Sequence, residues 1–352
     1  MIKNVAFRSS LVLRRLPGGG TDGGMKTMKM IFTEVMGAQE RLEEAFPDDD
    51  IVMFDGPLDK EELIREAQGA SVLSVFIRTR VDKDVIDSLP ELRMINTRST
   101  GFDHIDAEHA LEKGMAVTHV AEYGPHVVAE HTFCLLLACA RDLVQADRSV
   151  KEERRFDFHP FRGIELRDKV LGVLGTGRIG SEAIRIARGF GMKVMAFDMY
   201  PNEALAQEFA FSYHSLEEVL GSSDFVTVHL PLTDDTRGLI GRVELQRMRK
   251  GSILINAARG AIVDEDALRE ALDSGHLRAA GVDVIADESD PGASPLISSE
   301  RIIITPHIGF YTGEAVDRML EHSIDIIGSF RSGKIKGRVP VEYVSASKAR
   351  SS

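Results

Sequence analysis

Three side chains suited to chemistry occupy one kind of setting along this 352-residue chain. Arg259 stands in NAARG, Glu288 in GVDVIADE and His307 in TPHIGF. Each follows a short apolar run that reads as a buried strand: Ser252 to Asn256, Ala280 to Val284 and Ile302 to Ile304. In open α/β sheets, ligands sit beyond the carboxyl ends of the strands. A histidine titrates near neutrality and suits proton transfer to or from a reacting oxygen. A carboxylate beside it fixes its tautomer and favours its charged form. An arginine orients a substrate carboxylate bidentately and polarises a carbonyl. These are the groups that oxidation of an alcohol, or reduction of a carbonyl, requires. Each residue also has an ordinary reading. Arg259 could be a solvated loop charge, Glu288 one acid among Asp287 and Asp290, and His307 a turn histidine. The catalytic reading is favoured because all three follow a nucleotide-binding pattern.

That pattern is DKVLGVLGTGRIGSEAIRIARGFGMKVMAFD, residues 168 to 198. Val170 to Leu174 reads as a strand buried on both faces, and helical spacing follows through Ile179, Ala183, Ile184 and Ala187. Between them, Gly175-Thr176-Gly177-Arg178-Ile179-Gly180 is a G-x-G-x-x-G. Its first glycine permits the tight turn, its second lets a pyrophosphate approach the backbone, and its third lets helix and strand pack closely. The helix N-terminus offers unpaired N–H groups to the phosphates. A second strand, Lys193 to Phe197, ends on Asp198, about 18 residues past the last glycine and suited to a ribose hydroxyl. The acid favours NAD over NADP, although Lys193 and Arg178 lie near it in sequence. His229 ends a strand at the expected nucleotide crevice.

Two alternations of strand and helix must position these groups. Strands at 29–35, 51–54, 72–76, 94–96 and 116–119 alternate with short helices and predict a first parallel sheet. Tyr123-Gly124-Pro125 reads as a hinge, followed by one long helix from about His126 to Val150. Six strands from Val170 to Ile304 predict a second, doubly wound sheet, and a helix over 309–330 returns to the first domain. The expected fold is α/β, with residues 28–123 plus about 318–344 forming a discontinuous substrate domain and 124–317 an NAD-binding domain. Residues 1–27, basic and glycine-rich, read as a disordered extension or upstream start, or as a targeting peptide. Residues 345–352 read as a disordered tail.

Composition narrows the partners. A net charge of -12 argues against nucleic acid, and no segment is long enough to span a bilayer. Cys134 and Cys139 lie in an apolar stretch, read as buried thiols of a reducing, cytoplasmic compartment. His126 and His131, like His104 and His109, are five apart, which gives no metal-ligating face, so no metal is expected. Asp264 in IVDEDALREAL reads as a helix cap.

With the motifs STGFDHID (99–106), YGPHVVAEH (123–131), VLGTGRIG (173–180), HLPLTDDTRGLI (229–240), NAARGAIVDEDAL (256–268), GVDVIADE (281–288) and TPHIGFYT (305–312), the sequence from about Met28 to Val344 resembles the D-isomer-specific 2-hydroxyacid dehydrogenases. The resemblance implies two Rossmann-like domains with the active site in the cleft between them. It implies that His307 is the acid/base, that Glu288 pairs with it, and that Arg259 binds the 2-oxo acid. Thr100 and Gly101 are then expected to hold the substrate carboxylate through the backbone, with Tyr123 and Tyr311 at the substrate. His229, Pro231, Thr236, Ala257 and Asp283 are expected to complete the NAD pocket. A homodimer joined through the nucleotide domain is implied. Phe310-Tyr311, Tyr123 and FDMYPN (197–202) resemble the D-lactate dehydrogenase branch, although Ser-Asp-Pro after Glu288 departs from the usual pattern. D-Lactate/pyruvate is the leading pair. Glyoxylate/hydroxypyruvate, phosphonate or phosphoglycerate activity is the alternative, and a phosphorylated substrate would call on Arg78, Arg80 or Arg98. A catalytically silent NAD sensor is the alternative from another class.

Overall fold

The computed structural model describes residues 13–15 and 27–340. Most of the N-terminal extension and C-terminal tail lies outside the described residues. The chain forms two compact units, Met1–Tyr123 with Gly313–Ser352, and Gly124–Thr312. The first division falls at the Tyr123-Gly124 step, and the chain re-enters the first unit at Gly313, earlier than about residue 318.

The first unit contains β1 (Leu13–Arg15), β2 (Lys29–Phe32), α1 (Gln39–Ala45), β3 (Asp50–Met53), α2 (Lys60–Glu66), β4 (Val72–Val75), α3 (Lys83–Asp87), β5 (Met94–Thr97), α4 (Ala107–Glu112) and β6 (Ala116–His119). The sheet order is β1-β3-β2-β4-β5-β6. All pairings are parallel except β1 with β3. Short strand β1 lies within the segment read as disordered from sequence, where its backbone pairs with the edge of β3. β4 and β5 are buried along their whole length, as their unbroken apolar or uncharged runs predict. Asp59, Asp82 and Asp106 cap the helices that follow them by accepting backbone N–H groups.

The second unit contains α5 (Pro125–Ala140), α6 (Leu143–Lys151), β7 (Val170–Leu174), α7 (Arg178–Gly189), β8 (Lys193–Phe197), α8 (Glu203–Glu208), β9 (Ser212–Tyr213), α9 (Leu216–Ser222), β10 (Phe225–Val228), α10 (Arg242–Arg247), β11 (Ile253–Asn256), α11 (Glu265–Asp273), β12 (Ala279–Val282) and β13 (Ile302–Ile304). The parallel sheet runs β13-β12-β11-β10-β7-β8-β9. The chain starts in the middle, builds outward through β8 and β9, then crosses back to β10. This doubly wound order places its switch point between β7 and β10. β9, two residues at the sheet edge, adds a seventh strand to the six expected. Helix α12 (Gly313–Arg331) is the last helix among the described residues and belongs to the first unit. It starts four residues later than the periodicity predicts, because 309–312 form the turn after His307.

The long helix expected over 126–150 is two helices. Asp142, in the left-handed region at φ 48°, separates α5 from α6. Its carboxylate pairs with Arg278, and the Ile164 N–H caps the Ala140 carbonyl at 2.8 Å. Tertiary partners therefore end a helix whose local apolar spacing would have carried it onward. α5 packs against β11 and β12, where Gly281 leaves room for Leu135 and Cys139. Cys139 is buried there, whereas Cys134 is exposed on the opposite face, contrary to the expectation of two buried thiols. Burial pushes the Cys139 thiol up to about 12, so it behaves as an inert core group.

Candidate active site

The fingerprint glycines each have a separate geometric reason. Gly175 adopts φ +93°, and a Cβ there would approach the His229 carbonyl to 2.8 Å. A Cβ on Gly180 would overlap the Gly175 carbonyl oxygen, so the start of α7 packs on the turn itself. Gly177 has nothing within 4 Å of its would-be Cβ and no left-handed φ. Nothing among the described residues requires a glycine there, whereas the close approach of a pyrophosphate to the backbone would. The turn opens onto the N-terminus of the twelve-residue α7, whose first N–H groups lack helical acceptors.

Asp198, at the end of β8, faces this turn. Its Oδ2 accepts from Thr176 N (2.6 Å) and Thr176 Oγ1 (3.0 Å), and its Oδ1 from Tyr200 N (2.9 Å). Tyr213 Oη lies 2.8 Å from Thr176 Oγ1. The open cradle, the helix N-terminus and the acid at the second strand end fit a dinucleotide with a free ribose 2′-hydroxyl. His229 sits at the switch point, with Nε2 3.0 Å from Thr227 Oγ1 and a buried, unpartnered Nδ1. Burial pushes it down to about 4, so the ring is neutral. Thr236 closes the neighbouring turn by donating to the Pro231 carbonyl at 2.6 Å.

Arg259, Glu288 and His307 follow β11, β12 and β13, which are neighbours in the sheet. His307 Nδ1 lies 2.9 and 3.0 Å from the two oxygens of Glu288. A carboxylate only accepts, so Nδ1 donates, and Nε2 is the ring nitrogen with a lone pair able to take up a proton. His307 is held in the left-handed region at φ 55°, a conformation that costs free energy and needs support from its surroundings. Asp283 supplies that support. Its buried carboxylate accepts from Ile308 N (2.9 Å), Gly309 N (2.7 Å) and Thr305 Oγ1, while its carbonyl accepts from His307 N (2.8 Å). His131 Nε2 lies 3.3 Å from Asp283 Oδ1. Burial disfavours the Asp283 carboxylate, but these donors together hold its pKa below the usual range. Asp283, expected at the cofactor, thus directs its acceptors to the turn that presents His307.

Arg259 is set by Asn256, the last residue of β11. Asn256 donates Nδ2 to the Arg259 carbonyl (2.9 Å) and accepts the Ala258 N–H on Oδ1 (3.0 Å), which spans Ala257. Arg259 Nη1 donates to the Ala258 carbonyl at 2.8 Å. Gly260 then lies backbone to backbone against Ile285 and Ala286, at the start of the loop that carries Glu288. Asp264 caps α11 through Ala267 N, as expected. Asn256, Gly260 and Thr305 were not singled out in the sequence, and His131 was weighed there only as a metal ligand, because their partners lie across the fold. Asn256 could have been found as a buried amide ending an apolar strand.

Thr100, Gly101 and Tyr123 belong to the first unit, past the ends of β5 and β6. Thr100 Oγ1 donates to the Val120 carbonyl (3.1 Å), and His119 Nδ1 holds the Thr100 carbonyl at 2.8 Å. Ser99 Oγ donates to the Gly101 carbonyl (2.6 Å). The preceding Arg98 is buried and commits its guanidinium to the Thr33, Glu34 and Ser74 carbonyls and to Ser74 Oγ. Arg78 and Arg80 are both exposed. Tyr123 is buried, and its carbonyl accepts from Arg318 at 2.6 Å, whereas Tyr311 is exposed in the turn after His307. Among the described residues, no cluster of His, Cys, Asp or Glu could hold a metal ion, and no helix is long and apolar enough to cross a membrane.

Residues 133–309 match the family model of the NAD binding domain of D-isomer specific 2-hydroxyacid dehydrogenases. A glyoxylate reductase of Aeropyrum pernix is 38% identical over 281 residues, covering 78% of this chain and 84% of the relative. A D-3-phosphoglycerate dehydrogenase of Methanocaldococcus jannaschii is 41% identical over 259 residues, 73% of this chain but 49% of the relative. The chain thus spans about half the length of that relative. The crystal structure of a D-lactate dehydrogenase from Aquifex aeolicus, complexed with NAD and lactic acid, superposes with a TM-score of 0.79 at 33% identity, covering 86% of this chain and 96% of that one.

Proposed function

The chain belongs to the D-isomer-specific 2-hydroxyacid dehydrogenase family, whose members are NAD-dependent oxidoreductases of 2-hydroxy acids, and from that premise we propose that it interconverts a D-2-hydroxy acid and its 2-oxo acid, with D-lactate and pyruvate the leading pair. The observation that carries this reading is the bidentate placement of His307 Nδ1 on Glu288 at the carboxyl end of the nucleotide-binding sheet. Bound NAD supplies the hydride acceptor, and NADH the donor. In oxidation, His307 Nε2 accepts the hydroxyl proton while Glu288 stabilises the imidazolium that forms. In reduction, the same nitrogen returns the proton to the alkoxide. Arg259 orients the substrate carboxylate and polarises the C2 carbonyl. Thr100 and Gly101 offer backbone groups to the carboxylate.

Pyruvate is favoured over a phosphorylated substrate because Arg98, one of the three first-unit arginines such a substrate could use, is engaged by backbone carbonyls and Ser74. Glyoxylate and hydroxypyruvate remain the second reading, supported by the glyoxylate reductase relative. We also read the chain as a homodimer. Leu143 and Val144 of α6, and Phe156 and Phe158 of the arm behind it, are 60%, 50%, 95% and 80% exposed, a surface that a second copy would cover. Light scattering on a gel-filtered sample tests the dimer.

The test of function is NADH oxidation with pyruvate, phenylpyruvate, 2-oxoisocaproate, glyoxylate and hydroxypyruvate. Preference for pyruvate supports the lactate assignment. Activity confined to glyoxylate or hydroxypyruvate keeps the mechanism and reassigns the substrate. NADH binding without turnover on any of them contradicts the enzymatic reading in favour of a sensor.

A further inference from the structure

We propose that Glu265 is a positioning residue of the acid/base pair: its carboxylate clamps the loop that carries Glu288 and so sets how Glu288 meets His307. The inference rests on the dehydrogenase reading above. Glu265 is the first residue of α11, but Asp264 already caps that helix. The Glu265 carboxylate turns instead to a different loop. Its Oε1 accepts the Ala286 N–H at 2.6 Å, and its Oε2 accepts the Ser294 hydroxyl at 2.7 Å. These two contacts bracket Glu288.

The intervening loop has little else to hold it. Ser289 N and Oγ bond to Asp287 Oδ1, Ala293 N to the Asp290 carbonyl, and Ser294 N to the Pro291 carbonyl. Ser294 in turn accepts from Leu296 N and Ile297 N. All of these are local turns. Among the described residues, the hydrogen bonds that tie residues 286–294 to more distant parts of the unit are those of Glu265 and that of Glu288 with His307. An exposed loop fixed only at its tip would let the Glu288 carboxylate wander from Nδ1, and a misplacement of about 1 Å can cost on the order of a hundredfold in rate. A carboxylate suits the clamp because it accepts on both oxygens at once, through charge-assisted bonds. One stretch, Arg259 to Glu265, therefore presents the substrate-binding arginine at one end and fixes the acidic loop at the other. Gly260, pressed against Ile285 and Ala286, is the second point of attachment between the two loops.

The experiment compares wild type, Glu265→Ala and Glu265→Gln as full chains, by steady-state kinetics in the reducing direction across pH, with thermal melts. Alanine removes both acceptors, and glutamine keeps one. The expected result is a kcat about tenfold lower in Glu265→Ala. KM for the 2-oxo acid and for NADH should stay within about twofold, since uniform binding is untouched. The high-pH limb of the kcat profile should move to lower pH, because an imidazolium with a displaced carboxylate gives up its proton more readily. Glu265→Gln should fall between the two, and it carries the test if Glu265→Ala does not fold. Wild-type kcat and pH profile in both variants would overturn the inference, as would a raised KM with kcat intact. So would a lowered melting temperature with an unmoved pH profile. A wild type that turns over no 2-oxo acid defeats the dehydrogenase reading and this inference with it; an active wild type beside a normal Glu265→Ala defeats this inference alone.

Discussion

Gly260 and Ile285 touch backbone to backbone: a Cβ on Gly260 would overlap the Ile285 carbonyl group and crowd Ala286 N. The contact joins the loop bearing Arg259 to the loop bearing Glu288. Gly260→Ala should force these loops apart, since backbone cannot yield as a flexible side chain can. We expect kcat/KM to fall about a hundredfold, with a loss of stability of about 1–3 kcal/mol. Steady-state kinetics and denaturant unfolding check this, and an alanine variant with wild-type kcat/KM would contradict it.

The fingerprint glycines should separate binding from stability. Gly177→Ala meets nothing within 4 Å among the described residues, so its melting temperature should match wild type while NADH affinity falls at least about tenfold. Gly180→Ala meets the Gly175 carbonyl and should lower the melting temperature itself. NADH fluorescence titration and thermal melts on both variants give the comparison. Equal affinity in Gly177→Ala and wild type would mean that the open cradle does not receive the pyrophosphate.

Arg259→Lys keeps the charge but loses the planar fork that matches a carboxylate. KM for the 2-oxo acid should rise about tenfold or more, measured at saturating NADH. An unchanged KM would remove Arg259 from substrate binding.

His229 makes stability depend on pH. Its folded-state pKa is pushed down to about 4 from an ordinary 6.5 by burial. Between those values the unfolded chain binds more protons than the folded one, so stability rises with pH through this window and is lost as pH falls through it. The contribution is at most about 3 kcal/mol. His229→Gln should flatten the fall in melting temperature between pH 6.5 and about 4 relative to wild type. Parallel curves for the two proteins would show that His229 does not contribute.

The nucleotide-binding turn and the strand-end placement of the candidate residues were legible in the sequence, where the backbone itself dictates residue type or position. Gly175 and Gly180 must be glycine for the turn to close, and Arg259, Glu288 and His307 stand directly after apolar strands. What escaped the sequence depends on partners far along the chain. The break between α5 and α6 is set by Arg278 and Ile164, which no local periodicity contains. The left-handed His307 is supported by Asp283, 24 residues earlier, whose own type is equally compatible with a cofactor contact. Glu265 reads as an ordinary first-turn acid until its reach to Ala286 and Ser294 is seen. β9 is too short to carry an alternating pattern.

The most direct test of the central claim is the rate of NADH-dependent 2-oxo acid reduction by His307→Gln beside wild type, on whichever 2-oxo acid the wild type prefers. Glutamine preserves size and hydrogen bonding but cannot deliver a proton. If His307 is the acid/base held by Glu288, kcat falls by about two to four orders of magnitude while NADH affinity stays at the wild-type value. A His307→Gln variant that turns over near the wild-type rate would contradict the account.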